Sequence, residues 1–193
     1  MNGRRRTILF LAGLAAAPFV IEKLRSNLLP AAPALLTLHK EPTSTGALDF
    51  VDETGATRQL SNFPQRFLLV NIWATWCPPC RTEMPSLDRL KGVAGESSSF
   101  DVLAVSVDRV SMAQLRAFYN SYDITHLKLF RGDETALLAA LRVPGLPTTI
   151  LFDAQRQELG RLVGPTEWDS TAVREQLSAY DARLAPAEPG RSA

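Results

Sequence analysis

The chain of 193 residues holds two cysteines, and both stand in the run Trp76-Cys77-Pro78-Pro79-Cys80. Two intervening residues on the first turn of a helix bring the sulfurs within bonding range. One thiol can then attack a disulfide and the other can resolve the mixed disulfide within the same molecule. Residues 67–73 before the motif are almost continuously apolar, and Met84, Leu87 and Leu90 after it recur at helical spacing. The pair therefore sits at a strand-to-helix junction. There, unsatisfied backbone N–H groups and the positive end of the helix dipole favour a thiolate on the first cysteine. Pro78 and Pro79 are compatible with this position, because the first N–H groups of a helix have no intrahelical partner. Cys77 reads as the exposed nucleophile and Cys80 as the more buried resolving thiol. Two other uses of the pair are open at this stage. A structural disulfide is one, although so short a loop restrains the unfolded chain little. A closed zinc site is the other, but it needs four ligands, and only His39 and His126 remain as further Cys or His residues.

The elements that must position this motif follow from periodicity. Alternation on either side of Glu53-Thr54-Gly55 predicts a β-hairpin from residues 47–52 and 56–60. Residues 67–73 and 101–107 read as strands buried on both faces. Helices are expected over 79–92, from a capping box at 111–114 onward, over 134–142 and over 167–184. Residues 148–152 and 158–163 are expected strands, joined by a turn at 153–155. Strand, helix, strand, helices, two strands and a helix make an α/β fold with a mixed central sheet flanked by helices.

Residues 70–85, Val-Asn-Ile-Trp-Ala-Thr-Trp-Cys-Pro-Pro-Cys-Arg-Thr-Glu-Met-Pro, resemble the active-site stretch of the thioredoxin-like proteins of the TlpA type. These are bacterial, membrane-tethered thiol-disulfide oxidoreductases, related to those serving cytochrome c maturation. The resemblance extends over residues 46–184. The hairpin at 48–55 is similar to the family's N-terminal addition, and 107–142 to its central insertion. Gly145-Leu146-Pro147-Thr148-Thr149 is similar to the loop whose cis-proline faces the cysteines, and Gly164-Pro165-Thr166-Glu167-Trp168 is also TlpA-like. The resemblance implies a thioredoxin-like fold and a cis peptide before Pro147. It also implies a substrate groove in which Leu146, Pro147 and Thr148 present backbone to an extended client strand. Trp76 is expected on the apolar rim of that groove, Trp73 in the core, and Arg81 in solvent. Asn71 stands where thioredoxin has a buried aspartate, so this group does not titrate here. Glu83, three residues after Cys80, is the nearest carboxylate in sequence. The resemblance makes it, with Pro78 and Pro79, a modulator of the cysteines; equally, an acidic residue in the first turns of a helix simply complements the dipole.

The formal net charge is +1, unevenly spread. Residues 1–25 carry Arg4, Arg5, Arg6, Lys23 and Arg25 against Glu22 alone, which leaves the rest mildly acidic. Such a body lacks the basic stripe of a nucleic-acid binder. The basic start is followed by an uncharged, mostly apolar run at 8–21, the pattern of an export signal. As a helix it would be about 21 Å long, short of a hydrocarbon core of ~30 Å. Without a clear cleavage site, it is expected to be an uncleaved anchor in a bacterial inner membrane, with the catalytic domain in the periplasm. The expected organisation is an anchor at 1–25, a Pro-, Ala- and Thr-rich linker at 26–45, a thioredoxin-like domain at 46–185 and a tail at 186–193.

The expected function is an extracytoplasmic oxidoreductase. It would reduce disulfides of exported clients, such as cytochrome c or copper-oxidase assembly proteins, and be re-reduced by a membrane electron donor. No metal or other cofactor is expected beyond the redox-active Cys77–Cys80 pair. Two alternatives stand beside this one. The first is a disulfide-forming oxidase. The second is a copper-binding assembly factor using soft thiolates and His126, although such factors space their cysteines by three residues.

Overall fold

The sheet is built outward from a strand that carries no polar face. Phe67–Trp73 is buried at every position, because it is covered on both sides and flanked by a strand on each edge. A computed structural model of the chain describes residues 36–46, 48–94 and 99–184. The expected anchor at 1–25 and the tail at 186–193 lie outside the described residues. Eight strands are present among the described residues: β1 (Thr37–Ser44), β2 (Phe50–Asp52), β3 (Thr57–Arg58), β4 (Phe67–Trp73), β5 (Phe100–Ser106), β6 (Phe130–Gly132), β7 (Thr148–Phe152) and β8 (Gln157–Val163). They lie side by side in the order β1-β8-β7-β4-β5-β6-β2-β3. β4 pairs in parallel with β5, and β5 with β6, whereas β7, β8, β1 and the β2–β3 hairpin add antiparallel edges. Among the described residues, four α-helices flank the sheet: α1 (Pro78–Ala94), α2 (Met112–Ser121), α3 (Glu134–Ala140) and α4 (Thr171–Leu184). The architecture is the expected mixed sheet flanked by helices.

Caps fix several helix boundaries. The Ser111 hydroxyl accepts from the Gln114 backbone, and the Gln114 side chain accepts in return from the Ser111 N–H. Asp133 caps α3 through the Ala136 N–H. Half-way along α1, the Asp88 carboxylate accepts from three successive backbone N–H groups, those of Thr125, His126 and Leu127, and so ties the long insertion to the helix.

The structure departs from the sequence expectation at three places. The linker expected over 26–45 ends earlier than drawn, because Thr37–Ser44 forms strand β1 against β8. Its polar sequence hides this. The strand is largely exposed and is held by backbone pairing and by His39, which meets Glu158 at 2.8 Å. Gly160 makes the approach possible, since a Cβ there would lie 2.5 Å from the Thr37 carbonyl oxygen. The insertion contains an unexpected short strand, β6, between α2 and α3. The last helix starts at Thr171 rather than at 167, leaving Trp168 in a loop.

Candidate active site

β4 ends at Trp73, and the chain turns through Ala74, Thr75 and Trp76 before α1 begins. This turn is fastened from the neighbouring strand end. The Asp108 carboxylate, just beyond β5, accepts from the Thr75 backbone N–H and from its hydroxyl, both at 2.8 Å. Ser106 also donates to Asp108, at 2.7 Å. The sequence reading missed Asp108. Its position beyond the C-terminal end of a strand parallel to β4 was the available signal, since ligand sites in such sheets gather there.

Cys77 occupies the N-cap position of α1. Its Sγ accepts from the Cys80 backbone N–H at 3.3 Å, and its carbonyl accepts from Arg81 N–H at 3.2 Å. The two cysteines form a disulfide across a Cα–Cα distance of 5.3 Å. Opened, that bond would leave the Cys77 sulfur facing the positive end of a 17-residue helix. Pro78 and Pro79 are the first two helical residues, as their missing N–H groups allow. Cys77 is less exposed than the sequence reading had it: 4%, against 0% for Cys80. It reaches solvent through a cleft of about 410 Å³ lined by Trp76, Pro78, Leu138, Val143 and Leu146 among others. Trp76 is 61% exposed at the rim, while Trp73 is buried in the core with its ring tilted 40° against that of Phe118.

The opposite wall of the cleft is the loop before β7. The Leu146–Pro147 peptide is cis. Gly145 and Leu146 line the cleft, while the Pro147 carbonyl accepts from Gly164 N–H at 2.9 Å. Thr148 is fully buried, lies between Ile72 and Val163 in the ladder and donates its hydroxyl back to the Gly145 carbonyl. Leu146 is thus the one of these three that faces the cleft. Leu138 of α3 and Val143 add apolar walls that the sequence reading did not name.

Three residues along α1 from Cys80, Glu83 is only 2% exposed. Oε1 accepts from the Asn71 amide at 2.7 Å; Oε2 accepts from Trp168 Nε1–H at 3.0 Å and from Thr166 N–H at 3.1 Å. Asn71 gives its other N–H to Thr149 at 2.8 Å. Burial pushes the Glu83 carboxyl up to about 7, and the donors from Asn71, Trp168 and Thr166 offset only part of that cost because none is charged. A carboxyl in this condition can take or give a proton at neutral pH. Arg81 is exposed, as expected.

His126 packs at the other end of α1: a Cβ on Gly92 would meet its ring at 2.8 Å. At 1.5 Å per residue, that is roughly 18 Å along the helix from Cys80. His39, the second histidine, is bonded to Glu158. The copper alternative therefore lacks its distal histidine at the cysteines. Among the described residues, no group of three or more His, Cys, Asp or Glu side chains could hold a metal ion. No helix among the described residues is long and apolar enough to cross a membrane.

Residues 33–177 match the model of the Redoxin family. The thioredoxin-like protein YneN of Bacillus subtilis (strain 168) is 32% identical over 100 residues, which cover 52% of this chain and 58% of that protein. The chain thus spans less than two thirds of that relative. The thiol-disulfide oxidoreductase ResA of Bacillus thuringiensis subsp. konkukian is 27% identical over 136 residues, 70% of this chain and 73% of the relative. Among solved structures, a DsbE-type thiol:disulfide interchange protein from Chlorobium tepidum superposes with a TM-score of 0.62 at 22% identity, covering 74% of this chain and 98% of that one. A pneumococcal exposed lipoprotein thioredoxin from Streptococcus pneumoniae gives 0.58 at 23% identity, over 69% and 99%. These two likenesses establish the thioredoxin-like fold.

Proposed function

The chain belongs to the redoxin family and is a thiol-disulfide oxidoreductase of thioredoxin-like fold; from that premise we propose that it works outside the cytoplasm as a reductase of disulfides in exported proteins. The observation that carries the chemistry is the Cys77–Cys80 disulfide at the start of α1, with Cys77 Sγ on a helix N–H and open to an apolar cleft. The export assignment rests on the basic start and the apolar run at 8–21.

In the reduced protein, Cys77 thiolate attacks one sulfur of a client disulfide. A Cys77–client mixed disulfide forms and the other client sulfur leaves as a thiolate that takes up a proton. Trp76, Leu138 and Leu146 hold the apolar neighbourhood of that client sulfur; covering a side chain of this size contributes on the order of 2 kcal/mol. The Cys80 thiol then passes its proton to the Glu83 carboxylate and attacks Cys77 Sγ. This releases the second client thiolate, which is protonated in turn, and restores the Cys77–Cys80 disulfide. The client gains two electrons and two protons, one proton coming from Cys80 by way of Glu83 and one from solvent, and the enzyme must recover two electrons and one proton from a dithiol donor. We assign that donor to the membrane, because the compartment outside is kept oxidising. Cytochrome c and copper-oxidase assembly proteins are the client class we propose.

The sequence of steps is tested with a peptide carrying one intramolecular disulfide. Cys80→Ser should accumulate a mixed disulfide through Cys77, read by mass spectrometry, and Cys77→Ser should form none. Turnover of both variants at the wild-type rate would overturn the mechanism.

A further inference from the structure

We propose that Trp168, in the loop between β8 and α4, is a positioning residue of the redox centre: its indole N–H fixes the Glu83 carboxylate for proton exchange with Cys80. The inference rests on the reading above that Glu83 handles the resolving cysteine's proton. It goes beyond that reading by placing control of the proton in a loop 85 residues away in sequence.

The loop is fastened along one face of α1 at three successive positions. Glu83 accepts from the Thr166 backbone and the Trp168 indole. Ser86 accepts from the Trp168 backbone N–H at 3.1 Å while donating its own hydroxyl to the Glu83 carbonyl at 2.8 Å. Arg89 meets the Asp169 carboxylate through two nitrogens, at 2.6 and 3.3 Å. Residues 83, 86 and 89 are three apart, so they share one face of the helix. This attachment explains why the last helix starts at Thr171 and not at 167: the intervening backbone and the indole are spent on α1. Trp168 is fully buried, yet its polar atom goes to the carboxylate of Glu83, three residues along α1 from Cys80. If only apolar bulk were needed there, a phenyl ring would serve without placing a donor in the core.

The surroundings leave Trp168 as a principal handle on Glu83. From β4 the neutral Asn71 donates to the carboxylate, and the Thr149 hydroxyl of β7 accepts the other Asn71 N–H. On α1 the cysteines are joined to each other and Arg81 is exposed; in the loop, Glu167 is exposed and Asp169 is paired with Arg89. Among the described residues no cation pairs with the carboxylate, so its orientation and the ease with which it is charged depend on neutral donors, of which the indole is one of three. Removing a donor to the ionised form makes that form harder to reach and shifts the protonation midpoint upward.

The experiment compares wild type, Trp168→Phe, Glu83→Gln and the double variant in single-turnover exchange with the disulfide peptide from pH 5 to 9. Trp168→Phe keeps an aromatic ring in the core and loses the N–H. The limb near neutrality should move up by about one pH unit and the rate at pH 7 should fall about fivefold. In the Glu83→Gln background the same change should leave the profile of that background unaltered. A midpoint that stays in place in Trp168→Phe, while Glu83→Gln removes the limb, overturns the role of Trp168 alone. An equal rate loss in both backgrounds does the same, because it marks a structural effect. A limb that survives in Glu83→Gln overturns the Glu83 reading and this inference together. A measurement on the wild-type protein guards against a variant that folds poorly. The Trp168 indole N–H resonance should titrate with the Glu83 carboxyl in the unmodified chain and be insensitive over that range in Glu83→Gln; a flat resonance in the wild type would overturn the proposal.

Discussion

Glu83 and Glu158 are both almost wholly buried, at 2% and 1% exposed, and burial leaves them in opposite states. Around Glu83 the donors are an amide, an indole and one backbone N–H, all neutral, so desolvation wins and the carboxyl rises to about 7. Around Glu158, burial again pushes the carboxyl up. Here, however, the Arg161 guanidinium binds both its oxygens at 2.6 Å and His39 adds a third contact, so the group ends below the ordinary range. A buried carboxylate with a cation beside it stays charged and acts as a fastener, here for strand β1 on β8. One with only neutral donors sits poised to exchange a proton, and it lies three residues from a redox cysteine. Partner charge separates a structural acid from a chemical one; depth of burial does not.

The largest effect should come from neutralising the fastener. Glu158→Gln leaves a mostly buried Arg161 without its counter-charge and is expected to cost about 4 kcal/mol in urea unfolding at pH 7. Exchange activity per folded molecule should be unchanged. Next in size is the pH dependence of stability, where the two acids have opposite slopes. The folded state holds the Glu83 proton more tightly than the unfolded chain does. Stability from this group therefore falls by on the order of 3 kcal/mol as pH rises from the ordinary 4.5 to about 7. Glu158 contributes above its unfolded value and loses that contribution as pH falls through its lower folded value. Unfolding curves from pH 4 to 8 should show the first slope in the wild type and not in Glu83→Gln. If both variants share the wild-type slope, the contrast between the two acids fails. In kinetics, Glu83→Gln should slow the resolving step at pH 7 about a hundredfold, or about 2.7 kcal/mol, while mixed-disulfide formation by Cys77 proceeds. The smallest change is His39→Gln. This side chain is partly exposed, and its loss should cost about 1 kcal/mol or less, read as faster hydrogen exchange in β1.

What could be read from the sequence was local. Cys77, Cys80 and the two prolines belong to one turn, and residue type with spacing was enough to place them at a helix N-terminus. Trp76 and the cis bond before Pro147 followed from the family resemblance. Glu83 was located by its offset from Cys80, yet the choice between chemistry and dipole complement stayed open, because its partners come from β4 and from a loop far along the chain. Nothing near Trp168 in sequence announces a contact with α1; the residue instead sat inside an expected helix. Asp108 was hidden in the same way, since its task is to hold Thr75 across the ends of two parallel strands. Strand β1 was invisible for another reason. Its side chains are polar and exposed, and its place is set by Gly160 and Glu158 on the neighbouring strand.

The central claim, that Cys77 and Cys80 form a working dithiol couple that reduces other proteins, is tested most directly by titrating the oxidised protein against defined thiol buffers at pH 7 and counting free thiols by alkylation and mass spectrometry. The account predicts a reversible two-electron transition in the range of roughly −200 to −270 mV found for glutaredoxin and thioredoxin. A midpoint near roughly −120 mV would mark a protein that makes disulfides, and one below roughly −300 mV a bond that is structural; either result would contradict it.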